Sequence, residues 1–215
     1  MSELLNNFKK LCVMETTLPS GKAVSIQRLN VDFQRNLLTH FNNDNDPTTL
    51  GLKYIQFINN YLLSIYPEIK YLDKLFVINK WVREFSEAKE DNTPEFENIN
   101  FDNTNTVLIN DIDVTIKLQQ PSVSAENLLL DYLLTKEERD NIDLSFFDNF
   151  RFVESITFNN VKHKTTDITV EELHQIYLLF DLPALQKLSD SVNSTLDKIS
   201  DLRTLEADFS FFIDL

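Results

Sequence analysis

Few side chains of this 215-residue sequence have the types and spacings that catalysis or metal binding requires. Its three histidines, His40, His163 and His174, have no cysteine or acidic residue at metal-ligand spacing, whereas a zinc site needs four closely placed donors. We therefore expect surface or helix-capping histidines. The single cysteine, Cys12, has no evident histidine partner that would make it a nucleophile.

Acidic pairs can act as general acids and bases, and the sequence contains two candidate pairs. Asp111 and Asp113 bracket a predicted turn, whereas Glu171 and Glu172 fall in the first turn of a predicted helix, where the helix dipole favours negative charge. A structural role is the simpler interpretation of both pairs. Residues 44–46, Asp-Asn-Asp, resemble the start of a calcium loop, but the glycine and glutamate that complete such a loop are missing.

Nucleotide and acyl-transfer motifs are also missing. With only Gly21 and Gly51 present, the sequence has neither a glycine-rich phosphate loop nor a dinucleotide fingerprint. No serine lies in the Gly-x-Ser-x-Gly turn of the hydrolases. The sequence therefore predicts a protein that is not an enzyme, with no cofactor, no metal and no small-molecule substrate.

The charge is distributed unevenly along the chain. Residues 1–90 have a net charge of +1 and residues 91–215 a net charge of −15, and a polar stretch over 87–94 separates them. We predict a linker there, joining a domain of residues 1–90 to an acidic domain of residues 91–215. An acidic surface either keeps a protein in solution or attracts a basic partner, and both interpretations stay open.

Composition limits the class of partner. Nucleic-acid surfaces need clustered lysine and arginine, so the overall charge of −14 argues against them. No run approaches the roughly 18 apolar residues of a membrane helix, and we expect no signal peptide and no membrane partner. One cysteine cannot form an internal disulfide, which is typical of a reducing compartment.

The first half of the sequence predicts a hairpin followed by three helices. Pro19 and Gly21 supply the turn chemistry of the hairpin, and Asn30 is a good helix N-cap. Asp46 followed by Pro47 repeats a helix start signal. The predicted elements are a helix over 2–10, strands over 13–18 and 23–28, and helices over 30–41, 47–66 and 67–85.

The second half predicts two further hairpins among helices. Alternating apolar residues over 112–118 indicate a half-buried strand, and Thr169 with Glu172 forms a capping box. The fold class is therefore α+β, mainly helical with small antiparallel β-hairpins. The predicted elements are strands over 106–109 and 112–118, helices from about 124 and over 137–150, strands over 155–158 and 161–164, and helices over 170–180 and 183–205.

Apolar residues that a small fold does not obviously need are candidates for binding a partner. The last seven residues contain three phenylalanines, an isoleucine and a leucine, although a chain terminus usually frays unless it is held. These residues either pack on the protein's own core or dock into a neighbouring subunit. Trp81 is expected in a helix core. The partner-binding candidates are Phe146, Phe147, Phe209, Phe211, Phe212 and Ile213.

Residues 17–38, which read TLPSGKAVSIQRLNVDFQRNLL, resemble the opening of a known family. They are similar to the baseplate hub-subunit family of T-even-like contractile-tail bacteriophages, whose members begin with an apolar strand, a Leu-Pro-Ser-Gly-Lys-type turn, a second strand and a helix. Residues 27–29 lack the proline that the family places there. Residues 69–78, 170–173 and 208–212 are similar to later segments of the family.

The resemblance implies a structural or assembly protein of the tail baseplate hub, in the virion tail or in the host cytoplasm during assembly. Its partners would be other tail and baseplate proteins, bound through protein–protein contacts. Two alternatives stay open at this point. One is a non-structural tail assembly chaperone for the tape measure or a hub component. The other is a host-directed inhibitor that mimics nucleic acid with its acidic half.

Overall fold

The computed structural model of the chain describes residues 3–41, 47–85, 99–109, 112–135 and 143–197. These residues form a mainly helical α+β fold with two antiparallel sheets, which confirms the fold class predicted from the sequence. They fall into two compact units, which we call unit 1 (within 3–85) and unit 2 (within 99–197).

Unit 1 is a hairpin with four helices. Gly21 adopts a φ of +83° in the hairpin turn, a left-handed conformation that favours glycine. Asn30 accepts a hydrogen bond from the Phe33 amide, so the predicted N-cap is present. The elements are α1 (Glu3–Leu11), β1 (Val13–Thr17), β2 (Ala23–Gln27), α2 (Val31–Phe41), α3 (Pro47–Ile65) and α4 (Tyr71–Phe85).

The core of unit 1 is built around Trp81, which is fully buried as the sequence predicted. Its indole nitrogen donates to the Gln27 carbonyl over 2.8 Å, and the Gln27 amide donates to the Tyr61 hydroxyl over 2.5 Å. Phe33 lies against the same indole at 5.3 Å between ring centroids. Aromatic contacts and hydrogen bonds thus join the hairpin to α2, α3 and α4 at one point.

Helix α4 begins at Tyr71, four residues later than the predicted start at Pro67. Residues 67 and 68 form a turn instead. The cause is Asp73, whose carboxylate accepts from the Lys70 amide over 3.3 Å and from the Ser20 amide over 3.0 Å. One side chain therefore caps the helix and fixes the hairpin turn beside it, which requires a non-helical approach to Tyr71.

Unit 2 is a four-stranded sheet with four helices. Each of its last three helices has a side-chain N-cap, supplied by Asp143, Thr169 and Asp181. The elements are β3 (Asn103–Ile109), β4 (Ile112–Leu118), α5 (Val123–Thr135), α6 (Leu144–Phe150), β5 (Val153–Phe158), β6 (Val161–Lys164), α7 (Val170–Leu178) and α8 (Leu182–Leu196). Residues 137–142 and 198–205, parts of two predicted helices, lie outside the described residues.

The two hairpins predicted in this half are parts of one sheet, in the order β3-β4-β5-β6. Their joining pair is β4 with β5, in which Ile116 faces Ile156 and Val114 faces Phe158. The β5–β6 turn places Asn159 and Asn160 at φ values of 49° and 61°. Two consecutive positive φ angles are typical of the two-residue turns that match the twist of a hairpin.

Helix α8 packs against the outer edge of β3. The Lys187 ammonium donates to the Thr106 carbonyl, and the Ser191 hydroxyl donates to the Asn105 side chain over 2.8 Å. A strand edge that would otherwise expose carbonyl and amide groups is thereby covered by a helix.

A buried ion pair ties α5 to the start of β5. Arg151 donates to Glu126 over 2.8 Å, and the two side chains are 5% and 0% exposed. The guanidinium also lies over the rings of Phe147 and Phe152, at 4.9 Å and 5.1 Å from their centroids. Stacked and paired in this way, Arg151 is compensated for the loss of water around its charge.

Candidate protein-binding groove

The structure buries two of the candidate partner-binding residues. Phe146 and Phe147, in α6, are 0% and 3% exposed. Phe146 contacts the rings of Phe150, Tyr177 and His174, at 5.2, 5.5 and 4.6 Å between centroids. Because both side chains form part of the core of unit 2, they offer no surface to a partner, and this corrects the prediction. The remaining candidates, Phe209, Phe211, Phe212 and Ile213, lie outside the described residues.

His174 differs from the expected surface histidine. It is 7% exposed, and its Nδ1 lies 3.0 Å from the Tyr132 hydroxyl. Its Nε2 lies 3.5 Å from an Asp143 carboxylate oxygen. These contacts join α5, α7 and the N-cap of α6, so we interpret the group as a packing element of the helical layer. His163 is exposed on β6, as expected, and the side chain of His40 is outside the description.

The acidic candidates have local structural roles where the structure describes them. Glu172 accepts from the Thr169 amide and hydroxyl, and these hydrogen bonds lower the pKa of its carboxyl below the ordinary value. Asp113 is exposed on β4, while Asp111 and residues 44–46 lie outside the described residues. Within the described ranges, no group of three or more histidine, cysteine or acidic side chains is placed to hold a metal ion. Cys12 is a free, half-buried thiol.

Unit 2 has a concave surface of about 800 Å³, which we call the groove. One wall is the sheet, at the end where its hairpins turn, and the other is the stretch from Ile168 along α7 to Phe180. The residues of the two walls are mostly aliphatic or aromatic. They are Ile109, Ile112, Val114, Ile156 and Phe158 on the sheet, and Ile168, Ile176, Leu179 and Phe180 opposite.

The register of the sheet explains why the sheet wall of the groove is apolar. Residues two apart on a strand share a face, so Ile112, Val114 and Ile116 lie on the same side of β4. Their partners on β5, Phe158 and Ile156, continue that face. Ile116 is fully buried, whereas Ile112 and Phe158 near the turns are 43% and 41% exposed. The apolar face therefore runs from the covered core of unit 2 into the open groove.

Helix α7 supplies the opposite wall because its two sides face different surroundings. Leu173, His174 and Tyr177 are buried, and α7 packs on α5. The residues on its other side, Ile176 and Leu179, line the groove, and Leu179 is 71% exposed. The capping box at Thr169 fixes where α7 begins and hence where these side chains lie.

Four polar side chains occur at the border of the groove, and two of them are acidic. Asp167 and Glu172 lie on the α7 side, with Gln175 between them and Leu179, and His163 lies on β6. All four side chains are exposed. Apolar walls with two carboxylates at one border fit a partner segment that combines apolar anchors with lysine or arginine.

Unit 1 has a smaller concavity of about 320 Å³ between β1 and α4. Its charged residues are engaged locally: Glu84 pairs with Arg28, and the Lys80 ammonium lies 5.2 Å from the centre of the Phe76 ring. Asn79 lines the same space and is 3% exposed. Because its volume is less than half that of the groove, this concavity is a weaker candidate for a partner site.

Sequence reasoning missed the groove, although part of it is visible in the sequence. Helix periodicity assigns Leu173 and Tyr177 to the buried side of α7. Leu178 and Leu179 do not fall on that side, so they are apolar residues that the core of unit 2 does not require. The sheet wall had no such signal, because the pairing of β4 with β5 joins residues 35 to 44 positions apart.

Comparison with protein-family models, with curated protein sequences and with solved structures finds no match. Among the helices in the described ranges, none has both the length and the apolar composition needed to cross a membrane.

Proposed function

We propose that this chain is a structural or assembly protein of a contractile phage tail baseplate, acting at the hub through protein–protein contacts. It has no catalytic role in this proposal. The observation that carries the protein-binding part is the groove of unit 2, because an open apolar surface of this kind is what a protein partner covers.

The argument from the groove rests on the clustering of exposed apolar groups. Single exposed apolar side chains are common, whereas a contiguous patch is typical of interaction sites. Ile112, Phe158 and Leu179 are each more than two-fifths exposed and all line the same concavity. A partner that covers them removes this apolar area from water, which favours association.

The baseplate part of the proposal rests on the resemblance of residues 17–38. In the structure this stretch is the turn and second strand of the β1–β2 hairpin followed by most of α2. This order of elements agrees with what the resemblance implies. The acidic groups near the groove have structural roles, since Glu172 caps α7 and Asp167 accepts a hydrogen bond from the Thr166 hydroxyl.

A second candidate is a tail assembly chaperone that holds an aggregation-prone component and then leaves. The same open groove favours it, because a temporary client covers apolar surface as well as a permanent neighbour does. The strongly acidic second half favours it too, since a high net charge opposes association of the complexes with one another.

The test is mass spectrometry of purified virions beside assembly intermediates from cells that produce the protein. A fixed small copy number in both supports the structural protein, and presence in intermediates alone supports the chaperone. Absence from both contradicts the tail assignment altogether. The Leu179→Glu variant should lower the amount recovered in these particles. The matched control is Leu178→Glu, because Leu178 is also exposed (57%, against 71% for Leu179) but does not line the groove.

A further inference from the structure

Helix α1 leaves an apolar stripe uncovered. Leu4, Phe8 and Leu11 are 67%, 58% and 70% exposed. Their spacing of four and three residues puts the three side chains on one face of the helix. Amphipathic helices that bind in the apolar groove of a partner place their anchor residues at this spacing.

The length of α1 strengthens this reading. A helix of nine residues is marginal in water on its own and is normally held by packing of its apolar face. The last turn of α1 contains Lys9 and Lys10, so the helix combines apolar anchors with positive charge. The apolar anchors match the apolar walls of the groove, and the positive charge matches Asp167 and Glu172 at its border.

We propose that α1 of one copy of the chain docks in the groove of a second copy, which joins copies head to tail. This inference rests on the proposed function only in taking the groove as a protein-binding surface. The apolar stripe would cover Ile112, Phe158 and Leu179, and the lysines would lie near Asp167 and Glu172. Opposite charges at the border of an apolar contact add specificity and speed of association.

Charge and size favour this occupant over a symmetric contact between two grooves. Residues 98–200 contain 17 acidic and 8 basic residues, a net charge of −9, so two copies of unit 2 repel each other. The stripe from Leu4 to Leu11 spans about 10 Å along the helix axis. A concavity of about 800 Å³ is large enough for three such side chains. Because the two surfaces differ, the contact generates rings or open chains of copies.

The first experiment is sedimentation velocity of the full chain over a range of micromolar concentrations. We expect concentration-dependent self-association that Phe8→Asp and Leu179→Glu each weaken at least about tenfold, as for a central interface anchor. The matched controls are Asn6→Asp, on the polar side of α1, and Leu178→Glu. Circular dichroism establishes that each variant is folded. A wild-type chain that stays monomeric, or controls that weaken association equally, overturns the proposal.

A charge exchange tests the contact itself. Lys10→Glu should weaken self-association, and adding Asp167→Lys to that variant should restore a substantial part of it, because the opposite pairing is re-established. If the second change weakens association further, the two side chains do not lie together and the proposed docking is wrong.

The native cysteine provides a direct readout, since Cys12 follows the last residue of α1. A photo-crosslinker attached to Cys12 should react with peptides covering 109–114 or 168–180. In a mixture of isotopically heavy and light chains, these products should join one heavy with one light chain. Products confined to one chain, or products elsewhere on the surface, contradict the proposal.

The two proposals fail in different ways. If the chain is monomeric but Leu179→Glu still lowers its recovery in tail particles, the groove binds another protein and the self-docking of α1 is wrong. If the chain self-associates through α1 but is absent from virions and intermediates, the tail assignment is wrong and the docking stands.

Discussion

The buried pair of Glu126 and Arg151 gives the sharpest test of how unit 2 is held together. At 2.8 Å and an effective dielectric constant of about 20, the attraction between the two charges is about 6 kcal/mol. Part of that attraction offsets the loss of hydration of both groups. Removing one partner of such a pair, which leaves a buried charge alone, costs about 3–5 kcal/mol.

The perturbation is Arg151→Met, which keeps an apolar stem between Phe147 and Phe152 but removes the positive charge that faces Glu126. Hydrogen exchange followed by mass spectrometry resolves α5 and β5 separately from unit 1. A loss of 3–5 kcal/mol lowers their protection by about two to three and a half orders of magnitude. The double variant Glu126→Leu with Arg151→Met should recover much of the protection, because it leaves no buried charge.

The matched control is Lys117→Met, which breaks a more exposed ion pair with Glu154. Exposed pairs contribute about 0–1 kcal/mol, so exchange in α5 and β5 should change little. The reasoning is refuted if Arg151→Met lowers the exchange protection of α5 and β5 no more than Lys117→Met does. It is also refuted if the double variant is less protected than Arg151→Met alone.

Three further changes have expected outcomes. Thr169→Ala removes the N-cap of α7 and should destabilise unit 2 by about 1 kcal/mol, measured by urea unfolding, with Thr166→Ala as the control. The hydrogen bonds from Thr169 lower the pKa of Glu172 in the folded chain, so the stability that this contact gives should be fully present above about pH 4.5, the ordinary pKa of glutamate. That stability should be lost as the pH falls through the lower pKa of the folded state. A Glu172→Gln chain should lack this part of the acid dependence of urea unfolding. Asn160→Val should lower the free energy of unfolding, measured by urea unfolding, by about 1–2 kcal/mol, because residue 160 has a positive φ. Asn160→Gly should leave that free energy unchanged or raise it, and equal effects of the two changes would contradict the turn geometry.

The local elements were predictable because their signals are local. The N-cap at Asn30, the capping box from Thr169 to Glu172 and the alternation over β4 all rest on residues within a few positions of one another. The start of α4 was predicted four residues early, because the approach to Tyr71 is fixed by Asp73, which also binds the amide of Ser20. A contact across 53 positions has no signature in a single sequence.

The functional surface was harder to predict for the same reason. Phe146 and Phe147 are apolar whether a core or a partner covers them, and their position in α6 gave no means of choosing. The groove depends on the pairing of β4 with β5 and on which side of α7 the helices already cover. Periodicity predicts that an element has an apolar side, but the tertiary arrangement decides whether that side is buried.

The two edge strands of the unit 2 sheet, β3 and β6, offer little free backbone to another chain, although the groove beside the sheet is open. Helix α8 occupies the free side of β3, and β6 is only four residues long, with lysines at positions 162 and 164. Short strands with lysine are poor templates for the growth of amyloid-like fibrils. The edges of this sheet are therefore poor sites for recruiting further chains by backbone hydrogen bonding, even though the groove beside it exposes aliphatic side chains.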